Sequence, residues 1–165
     1  MWAQGSIPDP WWELQHRDLE YANEPFNDLV TVEKWRSLGY TQTRFTGDMY
    51  DMRRPEPLWI AKFKTLFPLD NFSWSVYKMS PGCTLPEHSD TYAFFRKKHR
   101  LSANATIVRI IVFLEDWQSG HYLEMNQRPV INWRCGDWVC WGNQFPHLAA
   151  NIGQTDRYTL QITGN

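Results

Sequence analysis

The chain has 165 residues, a length that suits one domain built around one core. Hydrophobic residues make up 42% and charged residues 21%, with 17 basic against 18 acidic side chains and a net charge of −1. This balance excludes a disordered polymer and a protein that coats duplex DNA with a broad basic surface, so nucleic acid is not indicated as a partner.

The longest apolar runs fall far short of the ~20 residues of a membrane helix. The first residues lack the basic start and apolar stretch of an export signal, and the sequence therefore predicts a cytoplasmic protein without a membrane partner. Cys83, Cys135 and Cys140 form no CxxC pair, which argues against a disulfide framework and a structural zinc site.

In chain order, residues 1–70 read as a flanking helical layer. Helices are expected over 10–21, over 32–38 ending at Gly39, and over 57–67. In the last, Trp59, Ile60, Phe63, Leu66 and Phe67 share one face, and Pro57 and Pro68 suit its start and stop. From 71 to 165 the pattern becomes short β-branched and aromatic runs. Strands are expected over 72–79, 106–114, 122–125, 130–133, 137–141, 147–151 and 157–163, separated by turn residues such as Pro81-Gly82 and Ser119-Gly120. Seven or eight strands with no helical pattern between them predict a mainly β fold, an antiparallel sandwich or barrel with flanking helices. Residues 91–106 break this economy, being longer than the roughly 12–15 residues at which structureless loops become uncommon. They contain the run Phe94-Phe95-Arg96-Lys97-Lys98-His99-Arg100 and read either as a solvated excursion or short helix, or as a lid.

The chemistry concentrates at His88-Ser89-Asp90. In an extended segment, side chains at i and i+2 share a face, so His88 and Asp90 can converge on one ion. His147 opens a candidate strand downstream and is the candidate third ligand. Two imidazoles and one carboxylate leave open positions that suit non-haem Fe(II) better than structural zinc. Ten residues after His147, alternation puts Arg157 and Thr159 on one strand face and Tyr158, Leu160 and Ile162 on the other. An arginine facing a barrel interior needs an anion, and its guanidinium grips a carboxylate through two charge-assisted bonds. The plainer alternatives are a hydrogen-bonded structural His147 and an Arg157 on the solvent face.

The pattern His88-x-Asp90…His147 followed by Arg157-x-Thr159 resembles the iron triad and co-substrate clamp of the Fe(II)/2-oxoglutarate-dependent oxygenases, whose core is a double-stranded β-helix. The resemblance covers about residues 72–163. Phe113-Leu114-Glu115-Asp116-Trp117 with Gly120-His121-Tyr122 is similar to the central segment of prolyl-hydroxylase-like members, many of which carry lysine in place of Arg157. Leu85-Pro86-Glu87-His88-Ser89-Asp90-Thr91-Tyr92 and the segment from Arg157 to Gly164 resemble small members encoded by marine bacteriophages. The resemblance implies a jelly-roll, cupin-like core and Fe(II) on His88, Asp90 and His147. It further implies 2-oxoglutarate chelating the iron with its far carboxylate on Arg157 and Thr159, and dioxygen as oxidant. The expected outcome is hydroxylation of a prime substrate with release of succinate and carbon dioxide.

Arg109 interrupts an apolar strand on the face of Ile111 and Phe113. It is expected either as a second interior cation for the co-substrate or an acidic substrate, or as a structurally paired arginine. Tyr77 is expected to offer its phenol to the same carboxylate. Trp138, Trp141, Tyr92, Phe94 and Phe95 either wall the substrate entrance or pack the core, whereas His99 and His121 read as structural. Two other readings stand beside the oxygenase: a cupin-like metal protein without 2-oxoglutarate, and a non-enzymatic virion-associated or binding protein. Neither the prime substrate nor the oligomeric state follows from the fold.

Overall fold

The computed structural model describes residues 2–165. Two antiparallel sheets face one another. The larger contains β1 (Trp2–Ser6), β2 (Ala22–Asn23), β3 (Asp48–Asp51), β4 (Ser73–Met79), β6 (Val108–Phe113), β9 (Asp137–Trp141) and β11 (Arg157–Gly164). Its order is β1-β9-β6-β11-β4-β3-β2. The smaller contains β5 (Thr84–His88), β7 (His121–Met125), β8 (Arg128–Val130) and β10 (His147–Asn151), in the order β5-β10-β7-β8.

The alternation of β11, central in the larger sheet, creates two cores. Leu160 and Ile162 point outward with Val76, Ile110 and Val112, and are covered by Trp12, Trp59, Ile60 and Phe63. Burying each such side chain stabilises the fold by ~1.5–3 kcal/mol, so this apolar sheet face requires its helical cover. α2 (Ile60–Leu66) supplies Ile60 and Phe63 to that cover, with Trp59 at its N-cap, and the N-terminal segment supplies Trp12. The inward face instead mixes Arg157, Thr159 and Gln161 with an apolar cluster of Tyr77, Met79, Ile111, Phe113, Val139 and Trp141, which packs on Leu123, Met125 and Ala149 of the smaller sheet. The candidate residues Tyr77, Arg157 and Thr159 line this second interior.

The N-terminal third departs from the purely helical expectation. It contributes α1 (Leu29–Ser37) and α2, but also β1, β2 and β3, which extend the larger sheet. β1 is a polar edge strand without apolar alternation, hence silent in the sequence pattern. The helix expected over 10–21 is reduced to one 3-10 turn, Gln15–Asp18, because Glu13 and Leu14 take left-handed backbone conformations. The neighbouring indoles are committed elsewhere, Trp11 donating to the Trp59 carbonyl and Trp12 to that of Leu114. The strand expected over 130–133 stops at Val130; Asn132 turns the chain at φ 59°, and Trp133 folds inward to stack on Phe113 with ring centroids 4.0 Å apart. α1 begins three residues earlier than expected because Asp28 caps it, accepting the Thr31 N–H.

Residues 91–106 hold a short helix, α3 (Ala93–His99), anchored by Tyr92 and Phe95 packing on Ile107. Arg96 ties it further, donating to the carbonyls of Ser102 and Ala105. Among the described residues no helix is long and apolar enough to cross a membrane. All three cysteines are free thiols.

Glu115 fastens the N-terminal segment to the end of β6. Its carboxylate accepts hydrogen bonds from His16 at 2.7 Å and from Arg17 at 2.7 and 2.8 Å. Burial pushes the carboxyl up, but His16 and Arg17 outweigh it and bring it from 4.5 to about 2. A carboxyl depressed in the folded state stabilises above its unfolded value and loses that contribution as pH falls. Glu115→Gln should therefore lose about 2 kcal/mol near neutrality, allowing for the half-exposed Arg17. In urea titrations the variant should show a shallower fall in stability than the wild type between pH 4.5 and about 2, since other depressed carboxyls such as Asp90 still titrate. Parallel pH profiles for the two proteins would remove this network as the cause.

Candidate metal centre

His88 closes β5 and His147 opens β10, and the two are direct cross-strand partners. The β5–β10 register slips by one residue between His147 and Ala149, a bulge in β5 that sets Pro86 and Glu87 against Leu148 alone. Proline has no amide to contribute to a ladder, so the bulge costs little there. The direct pairing of His88 with His147 leaves their imidazole centroids 4.3 Å apart. Asp90 lies two residues past the end of β5, with Oδ1 3.9 Å from His88 Nε2. One ligand atom from each of His88, Asp90 and His147 falls within 4.8 Å of the others.

The tautomers suit metal binding. Nδ1 of His88 bonds the Pro86 carbonyl at 2.9 Å and Nδ1 of His147 bonds that of Phe145 at 3.0 Å. Each Nδ1 is thus the protonated donor, and each Nε2 keeps its lone pair. Burial lowers both imidazoles, against the pull of Asp90; His147 falls to about 4, with neighbouring His88 contributing. Burial would raise the Asp90 carboxyl, but Arg109, His147 and His88 outweigh it and keep it ionised. The donor set is two neutral nitrogens and one carboxylate oxygen.

Packing fixes the rings. Phe26 and Trp35 meet His88 edge-on at centroid distances of 5.2 and 5.7 Å, and Trp35 Nε1 donates to the Glu87 carbonyl at 3.0 Å. Trp141 lies 4.8 Å from the His147 ring. The sequence pattern gave no sign that α1, through Trp35, supports the centre, because the contact spans 52 residues.

On the inward face of β11, Arg157 and Thr159 retain 5% and 1% of their exposure. Arg157 Nη1 donates to the Tyr122 carbonyl at 2.6 Å, while Arg157 Nε and Thr159 Oγ1 are buried without a partner. Among the described residues no carboxylate pairs with this guanidinium, and burial lowers it to about 10, leaving it charged at neutral pH. A buried charge without a counterion is costly, so these two groups fit an anionic guest. Tyr77, the cross-strand partner of Thr159, accepts the Gly47 N–H at its hydroxyl, and burial holds the phenol protonated, pushed up to about 12. Its own O–H stays available. A Cβ on Gly47 would sit 2.2 Å from the Lys78 carbonyl oxygen, so only glycine allows this approach.

Of the two expectations for Arg109, the structure shows the paired arginine. Its Nε donates to Asp90 Oδ2 at 3.3 Å and its Nη1 to Gln161 Oε1 at 3.2 Å, which follows from its register beside Thr163, away from Thr159. Trp138 likewise does not wall the site; it packs outward on Phe67. Tyr92 lies under the Arg109 guanidinium, Phe95 is buried, and Phe94 is exposed. His121 bonds the Thr155 carbonyl and His99 packs on Phe95, so neither joins the triad.

No family model matches the chain, and no curated protein matches it in sequence. Among solved structures, a prolyl-4-hydroxylase from Pseudomonas putida superposes with a TM-score of 0.62 at 15% identity, covering 99% of this chain and 91% of that one. The chain has a double-stranded β-helix fold. Looser likenesses are a cupin 2 barrel protein from Salinispora arenicola (TM-score 0.44, 13% identity, 87% and 88% covered) and a cupin protein from Bacteroides fragilis (0.44, 10%, 76% and 83%). A His2Asp group able to hold a metal therefore sits inside a fold shared with that prolyl-4-hydroxylase.

Proposed function

We propose that the protein is an Fe(II)- and 2-oxoglutarate-dependent oxygenase that hydroxylates a prime substrate. One observation carries this reading: Arg157 Nε and Thr159 Oγ1 are buried, adjacent and unpartnered on the sheet face that looks toward the triad. A cupin-like metal protein has no use for that arrangement, whereas a dicarboxylate chelated at the metal would end in it. The likeness of the segments around His88 and Arg157 to small phage-encoded oxygenases points the same way, and we place the activity in the cytoplasm, in one domain of 165 residues.

His88, Asp90 and His147 would hold the ion through Nε2, one carboxylate oxygen and Nε2, leaving its other positions free. Arg157 and Thr159, with the Tyr77 O–H alongside, would bind the far carboxylate of 2-oxoglutarate. Together with dioxygen, the bound metal and 2-oxoglutarate would supply oxidative decarboxylation to succinate and carbon dioxide and the oxygen atom for hydroxylation. The chain's own contribution is orientation, the neutral state of two imidazoles, and an apolar wall of Phe113, Trp141 and Met125 that keeps water out.

Anaerobic Fe(II) and 2-oxoglutarate should give a weak visible charge-transfer band that is absent in His88→Ala. Iron binding without the band would favour the cupin-like reading. Absence of iron binding would end both and leave the non-enzymatic one.

A further inference from the structure

The inward face of the larger sheet has two polar ends. Arg157 lies at one of them and is 5% exposed. At the other, Arg109 sits beside Trp141 and Thr163 in the cross-strand register and keeps 19% of its side-chain surface in solvent. Its Nε and Nη1 are engaged by Asp90 and Gln161, and its plane lies over the Tyr92 ring, with the guanidinium carbon 5.5 Å from the centroid. Among the described residues Nη2 has no hydrogen-bond acceptor, and the buried Tyr92 hydroxyl beside the fork has no partner either, so this end retains donors for a two-point grip.

Charge bookkeeping sharpens this. A metal dication, the Asp90 carboxylate, a dianionic co-substrate and Arg157 sum to zero, and Arg109 is the one charge left over. α3 starts three residues after Asp90 and extends the same sign. Lys97 and Arg100 are exposed and form no ion pair, and Lys98 reaches only the Met52 sulfur. Arg96, through its bonds to Ser102 and Ala105, holds the helix in place directly after Tyr92, the residue that Arg109 covers, so these exposed cations are carried by a segment anchored beside Arg109.

We propose that the prime substrate carries a carboxylate, that it enters at the Arg109 end, and that the free edge of Arg109 receives that carboxylate while α3 adds long-range attraction. The proposal rests on the oxygenase reading for the occupancy of the Arg157 end, and it assigns Arg109 to substrate rather than co-substrate.

The test uses matched probes, propionate against propionamide and N-acetylglycine against its amide. They are titrated calorimetrically into full-length protein loaded anaerobically with Fe(II) and saturating 2-oxoglutarate. The acids should bind at least ~10-fold tighter than the amides, a gap of one charge-assisted pairing. The preference should vanish in Arg109→Gln and return in Arg109→Lys. The triple variant Lys97→Gln, Lys98→Gln, Arg100→Gln should keep metal and 2-oxoglutarate binding but weaken the acids several-fold and flatten their salt dependence. Equal binding of acids and amides, or a preference untouched by Arg109→Gln, overturns the proposal. Failure to bind 2-oxoglutarate at the outset is a separate result and counts against the oxygenase reading.

Discussion

His147→Ala will lower Fe(II) affinity by about 100-fold or more while leaving the apo fold intact. Loss of partners that merely orient a ligand already costs ~10–100-fold, so loss of a ligand itself should exceed that range. The wild type should gain about 2.7 kcal/mol of unfolding free energy at an Fe(II) concentration 100 times its Kd, because only the folded chain presents the triad. The variant should gain almost nothing at the same concentration. In the apo state it forfeits the bond to the Phe145 carbonyl and part of the contact with Trp141, a modest loss for one side chain. Metal-dependent stabilisation of the variant equal to that of the wild type would remove His147 from the ligand set.

Arg157→Met will separate function from stability in opposite directions. Arg157 is 5% exposed, its Nε is unpartnered, and no acidic group of the chain neutralises it. An apolar side chain of similar length removes the cost of burying that charge, and the variant should be more stable in the absence of 2-oxoglutarate by about 1–3 kcal/mol. Binding of 2-oxoglutarate should weaken at least ~100-fold, since charge-assisted hydrogen bonds to its carboxylate contribute ~1.5–3 kcal/mol each. Chemical denaturation and calorimetry on the same preparation read both effects. A destabilised variant that binds 2-oxoglutarate normally would return Arg157 to a purely structural role through its bond to Tyr122.

Local pattern made much of this legible. Period-two alternation in β4, β6, β9 and β11 marks both faces of the larger sheet, and the odd residues of β11 reveal an interior too polar to be mere packing. The i, i+2 spacing of His88 and Asp90 suggests a shared ligand from sequence alone, whereas the approach of His147 needs strand pairing across 59 residues. Less legible were features that depend on distant partners. β1 is a strand because β9 offers an unpaired edge, not because Ala3, Gln4 and Gly5 favour one. The segment around Trp11 and Trp12 has the composition of a helix but is pulled out of one by carbonyls of Trp59 and Leu114. Arg109 was visible as a charge inside an apolar strand; that Asp90 and Gln161 engage it was not.

The bulge at Pro86 and Glu87 divides the chain into lengths that are free to drift and lengths that are not. Adding or deleting one residue between Leu85 and Asp90 would reverse which side of the strand each later residue occupies. His88 would then turn away from His147, and the Pro86 carbonyl would lose its grip on the imidazole. A residue inserted at the exposed Ala103-Asn104 loop meets no such constraint. Variation in the length of this protein should thus gather in the connections beyond α3, while the six positions from Leu85 to Asp90 behave as a ruler of fixed length.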